Sequence, residues 1–285
     1  MIKVIKSGMY SSIQDLGRLG YRQYGVPCSG AMDHRSFEKA NFTLGNDKNA
    51  AALEITIIGP TLQFLISTEV CISGANMNPK LNETSILNDQ VISVNENDIL
   101  KFGPLKYGTR AYLAVANGFE TELLMGSRSM YNNITSASRI QNDDILSIVS
   151  VSSGTPTMKS KKSDNIDYFD TKELTAYKGP EFDLLSFSSQ DKLFNQEFTI
   201  SNTHSRMGYQ LNEFLENDLK SILTSHVLPG TVQLTPSGKL LVLMRDAQTT
   251  GGYPRVLQLS ESAINLMAQK NTNDKISFKR EELTI

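Results

Sequence analysis

Glycine, proline and charge are densest in Gln14-Asp15-Leu16-Gly17-Arg18-Leu19-Gly20-Tyr21, running on to Gly25-Val26-Pro27-Cys28-Ser29-Gly30-Ala31-Met32-Asp33. Four glycines and a proline in this stretch exclude a regular strand, so the backbone turns repeatedly and exposes its N–H groups, as site-building loops do. Asp15 and Asp33 are candidates for orienting or proton-transfer roles, and Arg18 for gripping a carboxylate or phosphate bidentately. An Asp15–Arg18 pair bracing a tight turn is the structural alternative. A second stretch, Asp246-Ala247-Gln248-Thr249-Thr250-Gly251-Gly252-Tyr253-Pro254-Arg255, follows an apolar run. Its two hydroxyls and Gly251-Gly252 suit either a backbone nest for an anion or a hairpin turn stopped by Pro254. It lacks the Gly-Lys-Ser/Thr ending of a phosphate-binding P-loop. In Gly126-Ser127-Arg128-Ser129 an arginine stands between two hydroxyls, suiting an anion or, with Ser127 as N-cap, a helix start. Cys28 beside Ser29 would need a general base to act as a nucleophile, and a spectator thiol is the simpler reading. His34 fits the first turn of a helix better than the role of a base.

The elements that must position these residues read mainly at period two. Thr61-Leu62-Gln63-Phe64 and Gly238-Lys239-Leu240-Leu241-Val242 alternate in this way, bounded by Gly, Pro, Asn or Asp. Asn97-Asp98, Asp143-Asp144 and Asn273-Asp274 each precede an alternating run and predict a hairpin turn feeding a strand. Helices are few. Asp33 caps His34–Leu44 with Gly45 as its stop, a second helix spans Ser260 to Lys270, and a third follows Ser127-Arg128-Ser129. Residues 150–178 turn polar and rich in Ser, Gly, Pro and Lys, the signature of a linker. The expected organisation is an N-terminal module over 1–152, a linker over 153–177 and a C-terminal module over 178–285. Arg18-Leu19-Gly20-Tyr21 is echoed by Arg206-Met207-Gly208-Tyr209, as a duplicated module would produce.

With 28 Lys+Arg against 30 Asp+Glu, the 285-residue chain carries a formal net charge of -2, which gives no footprint for nucleic acid. Two cysteines without CxxC spacing offer neither a disulfide framework nor a zinc site, and three histidines, no two at i, i+4, argue against a histidine metal centre. No resident metal is expected. The first residues lack the apolar core of a signal peptide, and no apolar run is long enough to span a membrane, so a soluble, cytoplasmic protein is expected.

Six motifs occur in order along the chain. They are Gln14-Asp15-x-Gly17-Arg18-x-Gly20-Tyr21 through Met32-Asp33, Ala52-Leu53-Glu54-x-Thr56-x2-Gly59-Pro60, Arg110-Ala111-Tyr112-Leu113-Ala114, Gly126-Ser127-Arg128-Ser129, Arg206-Met207-Gly208-Tyr209 and Gln248-Thr249-Thr250-Gly251-Gly252-Tyr253-Pro254. Together they resemble the biotin-dependent carboxyltransferase-like family, also called allophanate hydrolase subunit 2. That family includes the C subunit of the ATP-dependent 5-oxoprolinase, an antagonist of a sporulation-kinase inhibitor and half of the carboxyltransferase domain of urea carboxylase. The resemblance implies a mainly β fold of two cyclophilin-like β-barrel modules related by a pseudo-two-fold, with a few short helices. It implies an amide or lactam hydrolase opening 5-oxo-L-proline to L-glutamate with ATP and Mg²⁺ at the level of a complex, inactive alone. The implied partners are a homologous, inhibitor-like B subunit and a lactam-utilisation-type A subunit. Carboxyl transfer to urea, with biotin carried on another protein, is the rival activity, and a non-enzymatic antagonist is the third reading. On this resemblance Asp15, Arg18, Asp33, Arg206 and Asp246 are catalytic. Gln14, Tyr21, Ser29, Arg128, Tyr209, Gln248, Thr249, Thr250, Gly251, Gly252 and Tyr253 bind substrate or anion. The family commonly carries aspartate where this chain has Asn76 and Ser205, which puts in doubt any base at those positions.

Overall fold

The computed structural model describes residues 1–148 and 167–282, which fall into two compact units. The first takes Met1–Arg18 and Ser29 onward, and the second takes Leu19–Cys28 and everything from Ile166. Strands dominate both units, and a few short helices accompany them.

Eleven strands build the first unit: β1 (Ile2–Lys6), β2 (Tyr10–Gln14), β3 (Ala52–Thr56), β4 (Thr61–Phe64), β5 (Thr68–Asn76), β6 (Lys80–Leu81), β7 (Thr84–Ser85), β8 (Ile92–Val94), β9 (Ile99–Lys101), β10 (Tyr107–Val115) and β11 (Ile145–Leu146). They form two sheets, ordered β11-β1-β4-β9-β6-β7 and β2-β3-β10-β5-β8. Alternate apolar residues of both sheets, among them Val4, Leu62, Leu53, Ile72 and Leu113, fill one core. Helix α1 (His34–Leu44) covers the outer face of the second sheet, laying Phe37 and Ala40 over Ala52, Cys71, Tyr112 and Ala114. Strand β3 is therefore buried on both faces. Asp33 caps α1 by accepting from the Ser36 N–H, and left-handed Gly45 ends it, as its position in the sequence requires.

Seven strands of the second unit close into a barrel ordered β12-β19-β16-β17-β14-β13-β20. They are β12 (Glu173–Lys178), β13 (Phe198–His204), β14 (Gly208–Phe214), β16 (Thr231–Leu234), β17 (Lys239–Leu243), β19 (Arg255–Leu259) and β20 (Lys275–Arg280). A separate ribbon pairs β15 (Ser225–His226) with β18 (Thr250–Gly251). Helices here are α2 (Asp167–Asp170), α3 (Phe187–Asn195) and α4 (Glu261–Ala268), with Ser186 and Ser260 as N-caps of the last two. No helix among the described residues is long and apolar enough to cross a membrane.

The three acidic turns share one geometry. Asn97, Asp143 and Asn273 are left-handed at φ 71°, 69° and 71°, and the next aspartate accepts from the N–H of Asn95, Gln141 and Asn271 respectively. They are not hairpins. Each feeds a strand that pairs with one distant in sequence: β9 with β4, β11 with β1 and β20 with β13.

Other expectations change. Most of the expected linker, 153–166, lies outside the described residues, and its C-terminal end is helix α2 and strand β12, which pairs with β19 and β20. No helix follows Ser127-Arg128-Ser129, because Ser127 is bridged to Leu124 across a tight turn. Helix α3 went unread, since its one turn of apolar residues is shorter than a periodicity can display. The Arg-x-Gly-Tyr echo is not a structural repeat: Gly20 is left-handed in a loop, whereas Gly208-Tyr209 starts β14.

Candidate functional site

In the first unit the expected residues converge on the Asp15 carboxylate. Its Oδ1 accepts from Ser127 Oγ at 2.7 Å, Ser129 Oγ at 2.6 Å and the Gly17 N–H at 2.8 Å. Its Oδ2 accepts from the Arg128 N–H at 2.6 Å. A carboxylate with four donors, 2% exposed, braces two loops. Arg18, fully buried, donates to the Ser129 carbonyl, and the Arg128 guanidinium donates to the Thr121 carbonyl. Gln14 turns inward to Ser12 and Met130. Gly30 at φ 92° lets the loop close on itself, because a Cβ there would lie 2.9 Å from the Gly17 nitrogen. Asp33 accepts from Ser36 through both oxygens and so serves the helix start. Ser29 is left-handed and buried. Tyr21, by contrast, belongs to the second unit, where, half-buried, it tilts against Tyr24 with ring centroids 6.5 Å apart.

A buried network among three of the motif segments joins Asp33 to residues outside the expected site. Glu54 accepts from the Met32 N–H and the Tyr112 hydroxyl, both at 2.8 Å, and lies 3.8 Å from the Arg110 guanidinium. Tyr112 in turn accepts from the Asp33 N–H at 2.8 Å. Burial, then the Glu54 and Asp33 charges, push the Tyr112 hydroxyl well above its ordinary value, so it stays a donor. A charged residue in each of two apolar strands, Glu54 and Arg110, was the available signal. Burial also pushes the Cys71 thiol up to about 12, leaving it an inert apolar filler beneath α1.

In the second unit Arg206 and Asp246 form a buried bidentate pair, Nε to Oδ2 at 2.8 Å and Nη2 to Oδ1 at 3.0 Å. The Asp246 N–H also donates to the Arg206 carbonyl, and the Met244 N–H to that of Met207. The pair thus ties the Arg206-Met207-Gly208-Tyr209 segment to the chain leading into Gln248–Tyr253. Between these two segments opens a cavity of about 210 Å³, lined by Ser205, Met207, Tyr209, Gln248 and Tyr253 together with Gln210 and Gln233 from the barrel wall. None of its lining residues is charged at neutral pH. Tyr209 is fully buried and stacks on His204 with ring centroids 4.9 Å apart.

The nest expected at Gly251-Gly252 is not formed. Neither glycine is left-handed, which also excludes the type II and I′ turns, and Thr250-Gly251 pairs as a strand with Ser225-His226. Thr249 is buried, and its carbonyl accepts from Val227. Close approach explains Gly251, since a Cβ would lie 2.6 Å from Gln233 Nε2. At Asn76 and Ser205 the side chains accept from the N–H two residues on, at 2.9 and 3.1 Å, a turn bond that aspartate would also make.

A family model described as carboxyltransferase domain, subdomain A and B, matches residues 24–280. The chain belongs to this family. Among curated carboxyltransferase-domain relatives, the C subunit of the Escherichia coli 5-oxoprolinase is 33% identical over 98% of this chain and 90% of that protein. That of Haemophilus influenzae is 30% identical over 98% and 91%. The solved structure of TTHA0988 superposes with a TM-score of 0.87 at 25% identity, over 98% of this chain and 55% of that one. The K. lactis urea amidolyase gives 0.86 at 25% identity, over 97% and 18%. This chain therefore spans about half of the solved TTHA0988 chain and a smaller part of the amidolyase.

Proposed function

We propose that this chain is the C subunit of a 5-oxoprolinase, contributing to the ATP-dependent opening of the lactam of 5-oxo-L-proline to L-glutamate in a cytoplasmic complex. Its partners in this reading are an inhibitor-like B subunit of related sequence and a lactam-utilisation-type A subunit. The observation that carries the reading is near full-length similarity to two proteins so named, with their length matched almost end to end. The cavity of the second unit offers hydrogen-bonding side chains for the N–H and C=O of a lactam ring, and the carboxylate of 5-oxo-L-proline would take its cation from outside that lining.

Nothing among the described residues marks a site for ATP with Mg²⁺. Among the described residues no group of three His, Cys, Asp or Glu is arranged to hold a metal ion, and the expected anion nest is a strand. This chain's own part is to hold the amide in a fixed pose, with Arg206–Asp246 fixing the cavity walls. Co-expression with the two partners and an assay for glutamate formed from 5-oxoproline and ATP tests the reading. A stably assembled complex that forms no glutamate overturns it.

Carboxyl transfer from biotin on another protein to urea is a second reading, favoured by the fit to the urea amidolyase structure. Urea is likewise a small uncharged amide. Urea-dependent release of phosphate from a biotin carboxylase in the presence of this chain, without glutamate formation from 5-oxoproline, would select it.

A further inference from the structure

The first unit holds a cavity of its own, of about 320 Å³, which has no part in either the lactam or the urea reading. One wall is the loop joining β1 to β2, with Ser7 and Met9, and the other is the segment leading into β11, with Arg139, Gln141 and Asn142. Among the described residues that line it, Arg139 alone is charged, and its side chain is exposed. Both walls are held in place. Gly8 is left-handed at φ 73°, and a Cβ there would lie 2.4 Å from the Ile58 carbonyl oxygen, so glycine is what lets this loop lie so close to its neighbour. The Ile140 N–H donates to the Ser11 carbonyl, and the Ser7 N–H donates to Asn142 Oδ1, both at 2.9 Å, which ties one wall to the other.

The balance of donors and acceptors gives this cavity its character. Its acceptors are largely taken: the Ser7 carbonyl by the Ser11 hydroxyl and the Ser138 carbonyl by the Tyr10 hydroxyl, each at 3.2 Å, and Asn142 Oδ1 by the Ser7 N–H. Its donors are not. Among the described residues no acceptor bonds the Arg139 guanidinium, the Ser7 hydroxyl or the NH₂ groups of Gln141 and Asn142. The carboxylates that follow in the chain are engaged elsewhere, Asp144 by the Gln141 N–H at 2.7 Å and Asp143 by Lys3 Nζ at 3.4 Å. A surplus of donors around one guanidinium suits an oxyanion, and a planar fork bearing a single charge matches a carboxylate in both geometry and charge. Phosphate, with more charge than one guanidinium balances, is the poorer match. Met9 and Ile140 supply an apolar side for a short hydrocarbon body. We propose that this cavity binds a small monocarboxylate, with Arg139 as its counter-ion and Ser7 and Asn142 as supporting donors.

The test uses the full chain at neutral pH and ligand-observed NMR titration with cyclopentanecarboxylate, its uncharged analogue cyclopentanecarboxamide and inorganic phosphate. The carboxylate should bind saturably, about tenfold more tightly than the carboxamide and more tightly than phosphate. Arg139→Gln should level that preference, and because Arg139 is exposed and bonds no other described residue, the thermal midpoint should stay where it is. Asn142→Asp keeps the acceptor for the Ser7 N–H but puts a negative oxygen in place of the NH₂, so it should weaken the carboxylate and leave the carboxamide nearly unchanged. Damage to the loops would instead weaken both ligands together and leave their ratio standing. Equal binding of carboxylate and carboxamide by the natural sequence overturns the proposal. So does tighter binding of phosphate, a preference that survives in either variant, or no saturable binding at all. Glutamate formation by the assembled complex is scored separately, and its absence beside retained carboxylate binding removes the oxoprolinase reading while leaving this site in place.

Discussion

Asp15 in the first unit and Asp246 in the second are both buried carboxylates that tie together segments far apart in sequence, but they are held by opposite means. Asp15 is met by two hydroxyls and two backbone N–H groups, all uncharged, so its negative charge is spread over dipoles. Asp246 is met by a guanidinium in fork geometry, so the pair is neutral beside the cavity it supports. The difference matters for ligand binding. The cavity gains no net charge from the pair beside it, whereas the Asp15 carboxylate has its charge met within the loops it braces.

Breaking the second arrangement should have the largest effect. Arg206→Ala leaves Asp246 buried with its guanidinium partner gone, a loss of about 3–5 kcal/mol by analogy with other severed buried pairs. Chemical denaturation of the full chain measures it. Replacing both partners together should cost much less than either alone, and a strictly additive double variant would show that the pair is not coupled. In an assembled complex Arg206→Ala should also lower turnover, through displaced cavity walls.

Asp15→Asn tests the first arrangement. The amide keeps one acceptor oxygen and places an NH₂ against donors, so about 2–3 kcal/mol should be lost. Ser127→Ala removes one donor to Asp15 and the acceptor of the Ser129 N–H, and should cost about 1–2 kcal/mol. If Asp15→Asn were neutral, the four-donor brace would not be the reason this loop holds its shape.

Much of this was legible beforehand. Caps at Asp33 and Ser260, the alternation of the strands and the three acidic turns are all local, set by a side chain reaching its own backbone within three residues. The partners of those turns were not legible, because pairing β9 with β4 or β20 with β13 depends on contacts distant in sequence. The candidate site shows the same division. Gln248, Tyr209 and Tyr253 were named from their motifs, yet Gln233 sits in an ordinary alternating strand and is marked out only by what crosses over it. Gly251-Gly252 misled for the converse reason. Paired glycines permit a nest, but here close approach to Gln233 explains Gly251 equally well.

Two helix caps extend the comparison at smaller scale. Asp33→Ala removes a carboxylate that accepts from both the Ser36 N–H and the Ser36 hydroxyl, so it should cost more than the ~1 kcal/mol of an ordinary N-cap. Ser260→Ala removes the bond to the Ala263 N–H and an exposed one with the Ser262 hydroxyl, and should stay near that ~1 kcal/mol. Equal losses at the two sites would mean that the second bond, from the Ser36 hydroxyl, adds nothing to the cap.

The smallest expected effect is one of pH, and it belongs to the barrel unit. Glu181 accepts from Arg255 through both oxygens, and those bonds hold its carboxyl below the usual carboxylate range against the opposing effect of burial. A carboxyl whose folded value is depressed adds stability above its unfolded value of about 4.3, and that stability is lost as pH falls through the folded value. The Arg255 side of the pair, raised by the same contact, titrates only under strongly alkaline conditions. Glu181→Gln should therefore lower the thermal midpoint modestly at pH 7 and make its decline below about pH 4.3 shallower than in the natural chain. Melting profiles of both chains between neutral and acid pH decide the matter, and parallel acid limbs would show that the Glu181–Arg255 contact contributes no net stability.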